Sequence, residues 1–217
     1  MIIGFSIQTN WRFYKNDNEW ISFWRINKSK IGDFNAIEIV VDPKQEKNFK
    51  LSAKNYEWLS TLKYISYHLV EFSNYTENVI KQLPFVSNFI CHYDWQKIYD
   101  NKFFEQHEDK LLIENIENQA GDFKKTDKIC FDIAHVLNDG VEVIDEFYTK
   151  HKNKIKELHI SNYNNKIKHI PIYNSGIDLN FDMLKEYPII LEGSFRDIQE
   201  MKKELNYIKG EIYEIGL

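Results

Sequence analysis

The sequence predicts an α/β protein of the (β/α)8 class, a compact TIM barrel with short loops that occupies residues 1–217 as a single domain. Three observations carry this. Short, β-branched apolar runs recur along the whole chain, longer charged stretches with helical spacing separate them, and the turn after the first run lacks the glycines of a nucleotide-binding open sheet.

The apolar runs are Ile2–Ile7, Ala36–Val41, Tyr64–Val70, Val86–Cys91, Leu111–Ile113, Ile129–Phe131, Ile155–Ile160 and Pro188–Leu191, eight in all. The intervening stretches carry the helical period. Phe72, Tyr75, Val79 and Leu83 mark one face of a helix over 72–83, and Ile198, Met201, Leu205 and Ile208 mark another over 198–208. A third helical stretch opens at Gly140 and runs to about Lys152. Strands that alternate with helices pair in parallel, because each return to the same sheet edge needs a crossover. An open doubly wound sheet would place a Gly-rich loop after its first strand. Here that loop reads Gln8-Thr9-Asn10-Trp11-Arg12, with no GxGxxG, and no GxxxxGK[ST] occurs elsewhere. Eight units therefore close into a barrel. At 217 residues it is lean beside the usual ~250.

Composition narrows the function classes. The 28 Lys+Arg against 33 Asp+Glu leave a net charge of −5, which gives no electrostatic case for tight binding to duplex DNA. No apolar run approaches the roughly 18–20 residues that span a bilayer. The opening MIIGFSIQTN lacks a basic n-region and a small-residue cleavage site, so it reads as a strand. Cys91 and Cys130 form no CxxC pair, and a reduced, cytoplasmic protein with a small-molecule substrate and no membrane partner is expected.

The candidate chemistry lies at the ends of the runs. Of the seven histidines, His107 and His151 fall in charged helical stretches, where surface placement accounts for them. His68 lies in the third run, His92 directly follows the fourth, His135 stands three residues beyond Asp132 at the end of the sixth, His159 lies in the seventh, and His169 follows ten residues later. Glu114 closes the fifth run, Asp132 the sixth and Glu192 the eighth. Lone ionisable groups at the ends of buried strands are costly unless paired or metal-bound. In a (β/α)8 barrel all those ends meet at one mouth. Imidazole with carboxylate suits Zn²⁺, Mn²⁺ or Fe²⁺, with Zn or Mn expected.

Four segments also carry a resemblance. LLIENIENQAGDF, ICFDIAH, LHISNYNNKIKHIPIYNSGIDLNF and PIILEG, in this order and spacing, resemble strands five to eight of the xylose isomerase-like TIM-barrel superfamily (AP endonuclease family 2), which includes sugar isomerases, epimerases and endonuclease IV. What the resemblance to the sugar-converting branch implies is one divalent ion on Glu114, Asp132, His159 and Glu192, with Glu114 and Glu192 moving protons. What the resemblance to the endonuclease IV branch implies is up to three ions. The first would take His68, His92 and Glu114, the second Glu114, Asp132, His159 and Glu192, and the third His135, His169 and an Asp two positions earlier. This chain has Ile167 there, which leaves His135 and His169 free to contact substrate.

Further candidates have weaker signals. Asn115 is placed to orient Glu114 or to serve as a strand-end turn residue, and Lys168, with Lys166, to hold a substrate phosphate or simply to be solvated. Trp11, with Arg12, Phe13 and Lys15, would roof a sugar pocket, contact nucleic acid or form a solvated loop. Glu38, inside the second run, is either a mouth residue or an interior charge, and Cys91 points toward the helices. The expected function is a metal-dependent isomerase or epimerase of a small sugar, polyol or sugar phosphate. The alternatives are a metal phosphodiesterase acting on abasic DNA or another phosphoester, and a non-catalytic metal- or ligand-binding barrel.

Overall fold

Each expected apolar run becomes a strand of one closed, parallel ring. In the computed structural model the ring is formed by β1 (Ile3–Ser6), β2 (Ala36–Val40), β3 (Tyr64–His68), β4 (Asn88–His92), β5 (Leu111–Glu114), β6 (Ile129–Asp132), β7 (Ile155–Ile160) and the last strand, β10 (Ile189–Leu191). β10 pairs with both β7 and β1, which closes the barrel. Between β7 and β10 lies a separate antiparallel hairpin of β8 (Asn162–Asn164) and β9 (Ile167–Ile170). The structure describes residues 1–7, 17–70, 72–92, 101–115, 128–137, 140, 142–164, 167–175 and 181–214.

Helices α1 (Asp17–Ile31), α2 (Pro43–Glu46), α3 (Ala53–Leu59), α4 (Thr76–Ile80), α5 (Asn101–His107), α6 (Ile133–Leu137), α7 (Glu142–His151) and α8 (Phe181–Glu186) lie in crossovers between strands, and α9 (Ile198–Glu214) follows the last strand. Two differ from the periodic reading. α4 is shorter than 72–83, because Ser73 and Thr76 turn their hydroxyls to the buried Glu46 carboxylate, and Tyr75 is exposed instead of facing the core. α9 runs on past Ile208 to Glu214. Among the described residues no helix is long and apolar enough to cross a membrane.

Period-two alternation divides the core into two layers. Outward residues such as Phe5, Ile37, Ile65, Phe89, Cys91 and Phe131 join the large cluster shared with the helices. Phe5 stacks on Trp24 of α1 with ring centroids 4.8 Å apart. Inward residues form two small apolar groups, one of Ala36, Tyr64 and Ile190, the other of Ile90, Leu112 and Cys130. Gly4 also points inward, and a Cβ there would collide with the Ala36 carbonyl oxygen. Only glycine lets β1 and β2 approach this closely.

Candidate metal centre

The same alternation that sends Ile37 and Phe131 outward sends their neighbours into the barrel. Strand register sets His92 beside Glu114 and Asp132 beside His159, at the ends of their strands. Glu192 follows β10 directly, and its backbone N–H donates to the Ile160 carbonyl oxygen at 3.0 Å. The mouth thereby collects Glu38, Glu114, Asp132 and His159, all essentially fully buried, with His68, His92, His135, His169 and Glu192 around them.

Four groups within this collection have the composition and closeness of ion sites, one of them joining Glu38, His68, His159 and Glu192. Glu114, Asp132, His159 and Glu192 form the central one, in which His159 Nδ1 lies 2.9 Å from Glu114 Oε1 and 3.2 Å from Glu192 Oε1. His68, His92 and Glu114 form the second. There His68 Nε2, His92 Nε2 and Glu114 Oε2 are 3.2, 3.4 and 2.9 Å apart. Those separations match the roughly 3.3 Å between ligands around a tetrahedral ion with bonds of about 2.0–2.1 Å. Asp132, His135 and His169 form the third. Glu114 serves the first two groups with different oxygens, and Asp132 belongs to the first and third.

The donor set fits a divalent cation. Glu38 Oε1, Glu114 Oε2, Asp132 Oδ2 and Glu192 Oε2 are buried oxygens with no aligned hydrogen-bond donor among the described residues. Histidine nitrogens stand beside three of them, including His135 Nε2 at 3.3 Å from Asp132 Oδ2 and His169 Nδ1 at 3.6 Å from Glu192 Oε2. Bare buried carboxylate oxygens carry a large desolvation cost, which positive charge offsets. Without a metal that charge must come from protons on the rings. Burial disfavours protonation of His68, but Glu38 and Glu114 outweigh it and raise its pKa to about 9. His159 is likewise pushed up against its burial, by Cys130, Glu192 and Glu38. Burial alone would raise Glu38 and Glu114, yet the imidazoles around them hold both well below the usual carboxylate range. Glu192 differs: burial dominates and raises it, assisted by Glu38 and Asp132, with His159 opposing.

Supporting residues hold this arrangement. Asn115 is buried: its Nδ2 donates to the Asp132 carbonyl oxygen at 2.8 Å, its Oδ1 accepts from the Asp132 N–H at 2.7 Å, and its own carbonyl oxygen accepts from His135 Nδ1 at 2.5 Å. It therefore orients Asp132 and His135 more directly than Glu114. Asp132 Oδ1 accepts from the Ala134 N–H at 2.7 Å, leaving Oδ2 for the mouth. His169 takes φ 55°, a left-handed conformation that is uncommon without glycine. Its Nδ1 lies 3.1 Å from Ser161 Oγ.

Glu38 proves to be an interior charge that also reaches the mouth. Glu157 was not anticipated. It sits below His159 on β7, accepts from Tyr64 Oη at 2.6 Å and Ser66 Oγ at 2.7 Å, and lies 3.4 Å from His159 Nε2. Its position two residues before His159, on the same strand face, was the available signal. Cys91 packs outward, as expected, and burial pushes its thiol up to about 12. His107 ends α5 and His151 ends α7; His151 is not at the surface but buried beside Phe147, with ring centroids 4.7 Å apart. Trp11, Arg12, Phe13, Lys15 and Lys166 lie outside the described residues, as does the side chain of Lys168.

No protein-family model matches the chain, and no curated protein matches it. The chain is similar in structure to the mutually generated monomers of the dimeric phosphoribosylanthranilate isomerase from Thermotoga maritima, with a TM-score of 0.53 and 13% identity over 97% of this chain and 100% of that one. This corrects the membership suggested by the short strand-end motifs. The similar barrel belongs to a different superfamily, and the xylose isomerase-like assignment, with its AP endonuclease family 2 and endonuclease IV kinship, is not supported. Motifs such as ICFDIAH and PIILEG describe a strand with an ionisable group at its end, which any barrel with a polar mouth requires. What the chain shares with the solved structure is the (β/α)8 fold.

Proposed function

We propose that the chain is a divalent-metal-dependent enzyme of isomerase or epimerase type, acting on a small sugar, polyol or sugar phosphate. The observation that carries the reading is the set of four buried carboxylate oxygens without aligned donors, gathered among histidine nitrogens at the barrel mouth. Zn²⁺ or Mn²⁺ suits such a set, with Glu114, Asp132, His159 and Glu192 as the central ligands and His68 and His92 completing a second site on Glu114. The bound cation would supply Lewis acidity toward vicinal substrate oxygens. The chain's own residues would handle the protons. Glu114 and Glu192, whose Oε1 atoms lie 2.9 and 3.2 Å from His159 Nδ1, would be the groups that move them. His135 and His169, at the edge of the cluster, would orient substrate hydroxyls.

The test is proton exchange. Protein loaded with Mn²⁺ or Zn²⁺ is incubated in D₂O with pentoses, hexoses and their phosphates, and deuterium at the carbon next to the carbonyl is read by NMR. Exchange is expected on at least one of them, with loss on chelation and a fall of about 100-fold or more in Glu192→Gln. A metal-loaded protein that exchanges none of them would count against the isomerase reading. Hydrolysis of a phosphoester is a second reading, favoured by the separate His68–His92–Glu114 group. It requires two ions per chain and cleavage of bis(4-nitrophenyl) phosphate that is lost in His92→Ala.

A further inference from the structure

Glu38 stands where two candidate ligand histidines turn their backs to the centre. It projects inward from β2, fully buried, and one oxygen meets both rings: Oε2 lies 3.0 Å from His68 Nδ1 and 3.2 Å from His159 Nε2. The opposite nitrogen of each ring faces the cluster. His68 Nε2 meets His92 Nε2 at 3.2 Å and Glu114 Oε2 at 3.4 Å, while His159 Nδ1 meets Glu114 Oε1 at 2.9 Å and Glu192 Oε1 at 3.2 Å.

From this geometry, and resting on the metal-dependent reading above, we infer that Glu38 is a positioning residue that fixes the two histidines in opposite tautomers, so that His68 binds metal through Nε2 and His159 through Nδ1. An ionised carboxylate only accepts hydrogen bonds, so the His68 ring presents its Nδ1–H to Glu38, and the negative charge of Glu38 beside His159 Nε2 favours a proton there. A neutral imidazole has one N–H, and its other nitrogen is then a lone pair aimed at the ion. For His159 the neighbouring Glu157 Oε1, 3.4 Å from Nε2, acts in the same sense. One carboxylate thus serves ligands of two adjacent sites, His68 in the second group and His159 in the central one. Such outer partners raise ligand basicity and hold the ring plane, and losing one typically lowers metal affinity about 10- to 100-fold.

The experiment uses full-length protein with ¹⁵N-labelled histidine, loaded with Zn²⁺ and followed by long-range ¹H–¹⁵N correlation. His68 is expected to carry its proton on Nδ1 and His159 on Nε2. The reverse tautomer at either ring would overturn the inference. Zn²⁺ affinity of Glu38→Gln is then measured by chelator competition. A neutral amide is a poorer acceptor than the carboxylate, and a fall of about 10- to 100-fold with unchanged ion stoichiometry is expected. Unchanged affinity would overturn the inference, as would the loss of one whole ion per chain, since that would make Glu38 a ligand. Should the variant fail to fold, the wild-type spectrum decides alone. A wild-type protein that takes up no divalent ion would refute the metal reading itself, whereas a loaded protein with the wrong tautomers refutes only the role of Glu38.

Discussion

The two amide atoms of Asn115 bridge the ends of β5 and β6, where few backbone pairs remain. Replacing Asn115 with Ala leaves the Asp132 N–H and carbonyl buried without those partners. We expect a destabilisation of about 2–3 kcal/mol. In a chain of this size that is a fall in Tm of roughly 4–12 °C, readable by thermal denaturation of metal-stripped protein. An unshifted Tm would show that the bridge adds nothing. At this scale the sequence was most legible where a charged or imidazole side chain ended a β-branched run, as Glu114, Asp132 and Glu192 do. Such a residue must point into the mouth or face a severe desolvation cost. Glu38 and Glu157 were harder, because both lie inside their strands. Whether an interior carboxylate faces the barrel or the helices depends on register across strands, and register is tertiary information.

Among the elements, β1 is packed against β2 with no room for a side chain at residue 4. Gly4→Ala forces a methyl group into the Ala36 carbonyl oxygen, and neither backbone can yield without disturbing ladder hydrogen bonds. A loss of about 3 kcal/mol is expected, measured as a lower urea midpoint at unchanged slope. Wild-type stability in this variant would mean that β1 and β2 are further apart than described. All eight barrel strands were readable from apolar runs, since strands covered on both sides need continuous β-branched sequence. The hairpin of β8 and β9 was not. Its sequence NYNNKIKHI is short and polar, and it includes the left-handed His169, so local pattern carried no strand signal.

The whole molecule buries a cluster of titratable groups at the mouth, and this makes stability depend on pH. The pKa of His68 rises from 6.5 to about 9 on folding. Its stabilising contribution is therefore complete below pH 6.5 and disappears as pH climbs through about 9. Glu38 and Glu114, both depressed, contribute above about pH 4.5 and lose that contribution as pH falls further. Metal-stripped protein should accordingly have a higher urea midpoint at pH 6 than at pH 9. A saturating divalent ion, which takes the place of the ring protons, should narrow that difference. A midpoint that rose toward pH 9 without metal would show that the rings are not held protonated in the fold.

His159 also touches both sides of the barrel's seam. Glu38 belongs to the second strand of the ring and Glu192 follows the last, with β1 between them, and one imidazole reaches both. Closing such a ring is the step of greatest loop-closure entropy, because it joins segments from opposite ends of the chain. The clasp exists only once that step is complete. An ion held by His159 and Glu192 would therefore tighten the closed ring in preference to any partly open barrel, and the centre proposed for chemistry would also be the latch that finishes folding.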